Sequence, residues 1–122
     1  MDITPLIPQG VQIIQSYADG KFRISGQVYD GPILVFTDRV LPWAASIPPG
    51  SDDFIALGGH LAEHDVFLVG CGRSVPGDIF ALRRTLREKG INCEFMDTGA
   101  ACRTFNVLLT EGRRVAAALL PN

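Results

Sequence analysis

A chain of 122 residues, 47% of them hydrophobic and 20% charged, is long enough for one buried core and too short for two, and so much apolar content excludes intrinsic disorder. Eleven Lys and Arg against thirteen Asp and Glu leave a net charge of −2, which excludes a general nucleic-acid binder, because that affinity comes from neutralising phosphates. The mean hydropathy is +0.20, yet no apolar run approaches the roughly 20 residues that cross a bilayer, so no transmembrane segment is expected.

The first residues, Met1-Asp2-Ile3-Thr4-Pro5, open with an acid and a proline. A secretory leader needs a basic start and then an apolar stretch, and a transit peptide needs arginine without acids. The cysteines, Cys71, Cys93 and Cys102, are odd in number with no CxxC pair, so neither a disulfide framework nor a zinc knuckle is indicated. The expectation is a soluble, cytoplasmic protein with reduced thiols.

Along the chain the pattern divides into two unlike halves. Val11-Gln12-Ile13-Ile14 leads to the turn dipeptide Asp19-Gly20 and then to Phe22-Arg23-Ile24, which alternates in burial. Gly26 and Asp30-Gly31-Pro32 punctuate before Ile33-Leu34-Val35-Phe36, and Thr37-Asp38 turns the chain into Val40-Leu41-Pro42-Trp43. This is a β-meander. After the loop at residues 47–53, Ser51 or Asp52 is placed to cap a short helix to about Glu63, interrupted by Gly58-Gly59.

The second half reads as βαβαβ. Val66-Phe67-Leu68-Val69-Gly70 is a continuous apolar run, as in a strand covered on both faces. Ser74 before Val75-Pro76 signals a helix start; Ile79, Leu82 and Leu86 recur at helical spacing, and Gly90 ends it. Arg83, Arg84, Arg87 and Lys89 load its C-terminal half, which suits the negative end of the macrodipole. Ile91, Cys93 and Phe95 alternate as a strand, Asp97 or Thr98 caps a second helix, and Ala101, Phe105, Leu108 and Leu109 make its buried stripe. Val115 to Leu120 is a last strand. The expected fold is α/β: one compact single domain over residues 1–122, ordered from about 9 to 120, with a mixed β-sheet and packed helices.

Two loops carry candidate chemistry. Gly70-Cys71-Gly72-Arg73-Ser74 joins a strand to a helix start, where glycine lets backbone N–H groups approach an anion and Arg73 adds a charge-assisted bond. It lacks the Lys-Ser/Thr ending of a Walker loop, and any tight βα turn uses glycine and a serine cap. The segment 97–106 joins the next strand to its helix, and Thr98, Arg103 and Asn106 are polar within an apolar helix. Ligands bind open α/β sheets at the C-terminal strand ends, so the two loops are placed to share one crevice. Gly72, Arg73, Ser74, Thr98, Arg103 and Asn106 are therefore candidate ligand- or anion-binding residues, alongside a reading in which they only tie loops together.

Cys102 beside Arg103 is a candidate reactive thiol, although it shares a helical face with Phe105 and Leu109, which favours burial. His60-Leu61-Ala62-Glu63-His64 fits the H-x-x-E-H form of a zinc helix. The glycines upstream and the missing third ligand favour a solvated helix end instead, so no metal is assigned. Asp52-Asp53 reads as helix-cap chemistry, and no catalytic residue is assigned.

The stretch Met96-Asp97-Thr98-Gly99-Ala100-Ala101-Cys102-Arg103-Thr104-Phe105-Asn106-Val107-Leu108-Leu109, followed by Glu111-Gly112-Arg113, resembles the family of small single-domain proteins that includes mitochondrial complex I assembly factor 3 and the adipogenesis-associated domain proteins. Phe22-Arg23-Ile24-Ser25-Gly26, Leu41-Pro42-Trp43 and Gly70-Cys71-Gly72-Arg73 support it, so the resemblance runs from about residue 9 to residue 120. It implies a compact α/β fold and a non-enzymatic role, as in the assembly factor.

The first reading is thus a binding or assembly-type domain without a cofactor, acting on respiratory complex subunits or assembly factors through a protein surface. An exposed apolar patch at Trp43 or Leu6-Ile7 would serve it. The alternative is a small-molecule or anion-binding enzyme using the crevice between loops 70–74 and 97–106. The small net charge also hides a bias: Arg73, Arg83, Arg84, Arg87, Arg103, Arg113 and Arg114 all lie in the second half, leaving room for one local anion or partner site.

Overall fold

Six consecutive residues, Val115–Leu120, are buried on both sides of the strand they form, and the rest of the chain is laid around them. The computed structural model describes residues 12–57, 60 and 64–122. Its strands are β1 (Ile14–Ala18), β2 (Lys21–Ile24), β3 (Gln27–Asp30), β4 (Ile33–Val35), β5 (Val40–Pro42), β6 (Val66–Cys71), β7 (Glu94–Met96) and β8 (Val115–Leu120). The helices are α1 (Ser51–Ile55), α2 (Ile79–Glu88) and α3 (Thr98–Thr110).

The meander is split between two sheets. β1, β2 and β3 form an antiparallel sheet of three, whereas β4 and β5 join a five-stranded mixed sheet in the order β5-β4-β8-β6-β7. Both hairpins of the small sheet turn on residue pairs with positive φ, Asp19-Gly20 at 54° and 76° and Ser25-Gly26 at 48° and 84°, the conformation whose twist matches paired strands. β3 lies outside the expected elements. Its residues are mostly exposed, so it has no hydrophobic alternation to reveal it, and pairing with β2 holds it.

In the mixed sheet, β8 pairs antiparallel with β4 and parallel with β6, and β6 pairs parallel with β7. The chain moves outward from β6 to β7 through α2, then back across β6 to β8 through α3. Right-handed crossovers in opposite directions put their helices on opposite faces, and the core accordingly divides in two. Ile33, Val35, Leu68, Ala117 and Leu119 point to the face shared by α3 and the small sheet, where Ile14, Phe22, Ile24, Cys102 and Phe105 meet them. Leu34, Val69, Ala116, Ala118 and Leu120 point to the other face, under Trp43, Phe54 and Leu86.

Three local expectations are corrected. α1 is capped by Gly50, not by Ser51 or Asp52, and ends at Ile55. The Asp53 carboxylate accepts the Gly50 N–H at 2.8 Å and the Ser46 N–H at 3.3 Å, so it closes the helix start from its third position. Of the expected continuation to Glu63, residues 58–59 and 61–63 lie outside the described residues. α2 begins at Ile79, not after Ser74; Gly77 disfavours an earlier start, and the Pro76 carbonyl instead accepts the Ile79 N–H at 3.2 Å in a turn. Trp43 is 5% exposed, its ring centroid 5.6 Å from that of Phe54, so it belongs to the core and forms no surface patch. Leu6-Ile7 lie outside the described residues.

Phe105 is fully buried where α3 meets both sheets. Phe105→Ala is expected to lower stability by about 3–5 kcal/mol in urea unfolding, against a change within about 0.5 kcal/mol for Val107→Ala on the exposed side of the same helix.

Candidate functional site

The two sequence-selected loops meet at the C-terminal edge of the parallel strands. The Gly72 carbonyl accepts the Thr98 N–H at 2.8 Å, and the Gly72 N–H donates to Thr98 Oγ1 at 2.8 Å. Thr98 Oγ1 in turn donates to the Leu120 carbonyl at 2.6 Å. One buried hydroxyl therefore links the ends of β6 and β8 to the start of α3. The crossovers diverge here, and α/β sheets open a crevice at such a point. Gly70 is needed for this approach, because a Cβ on it would lie 2.9 Å from both Thr98 Oγ1 and Leu119 Cδ2.

The N-terminal end of α3 is also occupied from within. Asp97 caps the helix, its carboxylate accepting the Ala100 N–H at 2.9 Å, so the chain's own anion sits where a helix dipole attracts one.

The remaining candidates separate. Arg73 and Ser74 are exposed in the turn after β6. Arg103 lies on the small-sheet side, where its guanidinium donates to the Tyr17 hydroxyl at 2.9 Å. That phenol is seated on Gly99, where an added Cβ would come within 2.6 Å of it. Asn106 is buried and pairs with the backbone of β1, accepting the Ile14 N–H at 3.1 Å and donating to the Ile14 carbonyl at 2.8 Å. The structure thus brings Gly72 and Thr98 together and directs Arg103 and Asn106 to β1.

Cys102 is fully buried in the core shared by the two sheets. Burial pushes its thiol up to about 12, and the negative charge of Asp97 adds to this while that of Arg103 opposes it. Cys93 is likewise pushed up to about 12 by burial, with Glu94 contributing. His60 and His64 lie against Phe36, with ring centroids 5.2 and 5.3 Å away, and His64 Nδ1 is 2.7 Å from the His60 carbonyl oxygen. Among the described residues, no group of three His, Cys, Asp or Glu side chains is placed to hold a metal.

An apolar cavity of about 410 Å³ lies on the opposite face of the same strand ends, between the loop at Ile47–Gly50 and the first turns of α2. Val69, Phe95 and Leu120 form its floor, Ile79 and Leu82 one wall, and Cys71 and Asp78 supply its polar side chains. Burial raises the Cys71 thiol above its usual range. The cavity is within the size range of small-molecule pockets. No pattern along the sequence marks it, because its walls are mostly core-type residues from five separate segments. Pro48-Pro49 was the one local sign, since two prolines hold an extended loop off the sheet.

This is a two-sheet α/β domain with three parallel strands, its switch point closed by a threonine hydroxyl and an apolar cavity beside it. The chain belongs to the family described as "Protein of unknown function (DUF498/DUF598)", which matches residues 14–120. It is 39% identical over 112 residues to an uncharacterized protein of Rhodobacter capsulatus, covering 92% of this chain and 86% of that protein. It is 33% identical over 110 residues to the human protein named NADH dehydrogenase (ubiquinone) 1 alpha subcomplex assembly factor 3, covering 88% of this chain and 60% of that protein. The chain therefore spans less than two thirds of the assembly factor's length. A crystal structure of a Bordetella parapertussis protein matches with a TM-score of 0.74 and 31% identity over 93% of this chain and 98% of that one. These relatives agree with the resemblance carried by Met96–Leu109. Among the described residues, no helix is long and apolar enough to cross a membrane.

Thr98→Val is expected to leave the buried Gly72 N–H and Leu120 carbonyl unpaired, at about 1–3 kcal/mol for each group. Urea unfolding measures the loss, and Thr98→Ser should retain most of the stability. The thiols set a pH dependence. In the unfolded chain they titrate at about 8.5, while in the folded chain Cys93 and Cys102 hold their protons to about 12. The unfolded state releases protons first, so stability is full below the unfolded value and falls as the pH rises through this window. Urea midpoints from pH 7 to 10 should decline above about 8.5, and less steeply in a Cys93→Ala/Cys102→Ala variant.

Proposed function

We propose that this chain is a binding domain of assembly type that acts through its surface on subunits or assembly factors of respiratory complex I, without a cofactor. The observation that carries the reading is the closure at the strand ends. Thr98 fills the crevice with its own hydroxyl and Asp97 caps α3, so Gly72, Thr98 and the Ala100 N–H at the start of α3 are bonded within the chain, and Arg73 and Ser74 stand exposed in the turn outside it. The relatives named as assembly factors support the same reading, each aligned over about nine tenths of this chain.

The alternative, an anion-binding enzyme using loops 70–74 and 97–106, would need Thr98 and Asn106 to exchange bonds to buried backbone for bonds to a ligand. That exchange leaves backbone groups unpaired and costs about 1–3 kcal/mol for each.

The test is disruption of the gene in the organism that carries it, followed by native-gel separation of solubilised membranes and NADH dehydrogenase staining. The expected outcome is a severalfold loss of mature complex I, restored by the wild-type gene. An unchanged amount and size of the complex overturns the proposal.

A further inference from the structure

α2 presents two unlike faces. Leu82 and Leu86 pack toward the core with α1, while Phe80, Arg83, Arg84 and Arg87 stand three and four positions apart on the other side, the spacing of one helical stripe. Phe80 is 72% exposed, a large apolar side chain with no core role. It and the three arginines border a shallow depression of about 320 Å³. Glu94 lies 3.8 Å from Arg83, whereas among the described residues Arg84 and Arg87 form no ion pair. Two exposed guanidinium groups thus flank an exposed ring in a protein whose net charge is −2.

We propose that this face of α2 docks an acidic segment of a partner protein, with carboxylates on Arg84 and Arg87 and an apolar side chain on Phe80. This identifies the surface and partner chemistry of the assembly-type role, and it rests on that reading. Charge complementarity selects the occupant. A guanidinium fork pairs bidentately with carboxylate, and arginine with an aromatic ring is the composition of energetically dominant interface residues. A second copy of this chain docked by the same face would set Arg84 and Arg87 against their own equivalents, which like-charge repulsion disfavours. An anionic membrane is the weaker match, because the stripe offers one apolar side chain to insert and stable membrane attachment takes more than one such signal. Nucleic acid is disfavoured by the overall negative charge.

The test titrates the ¹⁵N-labelled full chain at low salt with a synthetic glutamate peptide carrying leucine at every third or fourth position. Its control has glutamine in place of each glutamate. The expected result is amide shifts concentrated in residues 79–88, with binding weakened about tenfold or more, equal to 1.4 kcal/mol, by the glutamine control, by Phe80→Ala and by Arg84→Glu/Arg87→Glu. All three side chains are on the outer face, and circular dichroism confirms that the variants fold. The charge-reversed variant should instead bind a lysine–leucine peptide, a reversal that loss of structure would not produce. Shifts outside α2, equal binding by the charge-reversed variant, or stronger binding to phosphatidylglycerol vesicles or a DNA oligonucleotide overturns the proposal. In the gene-disruption strain, rescue of complex I by Arg84→Glu/Arg87→Glu overturns this surface while leaving the assembly reading intact. Absence of any defect overturns the assembly reading, and the peptide titration still decides the surface.

Discussion

The structure depends on the double burial of β8. Every residue from Val115 to Leu120 is covered, so the strand must find a hydrogen-bonded neighbour on each edge and an apolar layer on each face. β4 supplies one edge from the first half of the chain, and β6 supplies the other from the second half. Ala116, Ala117 and Ala118 keep the centre of the strand thin, which lets α3 and the aromatic layer around Trp43 and Phe54 approach from opposite sides. Either half without the other would leave half of β8 bare.

Buried polar groups obey the same economy. Thr98 and Asn106 are the buried polar side chains among the described residues, and each bonds to the backbone of another segment. Thr98 ties the sheet edge to α3, while Asn106 ties α3 to β1 and hence the large sheet to the small one. With Thr98 and Asn106 so engaged, the chemistry left to the solvent is on the outer surface of the helices and in the apolar cavity beside Cys71.

The second half of the fold was legible because each element carries its own signal: the apolar run of β6, the helical spacing of Ile79, Leu82 and Leu86, Asp97 at the start of α3, and the closing apolar strand. Departures came where a local signal was ambiguous or missing. Ser74-Val75-Pro76 resembles a helix start but continues into a turn, because Gly77 follows. β3 is a strand by pairing alone, and the turns at Ser25-Gly26 and Asp30-Gly31 on either side were its available signs. For the candidate site, the sequence placed both loops at the strand ends but did not show what their polar side chains bond to. A threonine at a helix start reads the same whether its hydroxyl meets a ligand or a neighbouring carbonyl. The apolar cavity was illegible because Val69, Ile79, Leu82, Phe95 and Leu120 each read as ordinary core.

By itself the sequence determined the α/β class, the family, the location of the loops at the strand ends, and an arginine-rich second half, since periodicity, turn residues and charge are properties of neighbours along the chain. Only the tertiary structure decided that the meander divides between two sheets, that Trp43 is core and Phe80 is surface, and that Arg84 and Arg87 flank an exposed ring while Arg103 turns to Tyr17. Those outcomes depend on which segments meet across the sheet, and contacts between distant segments leave no mark in the spacing of residues along any one of them.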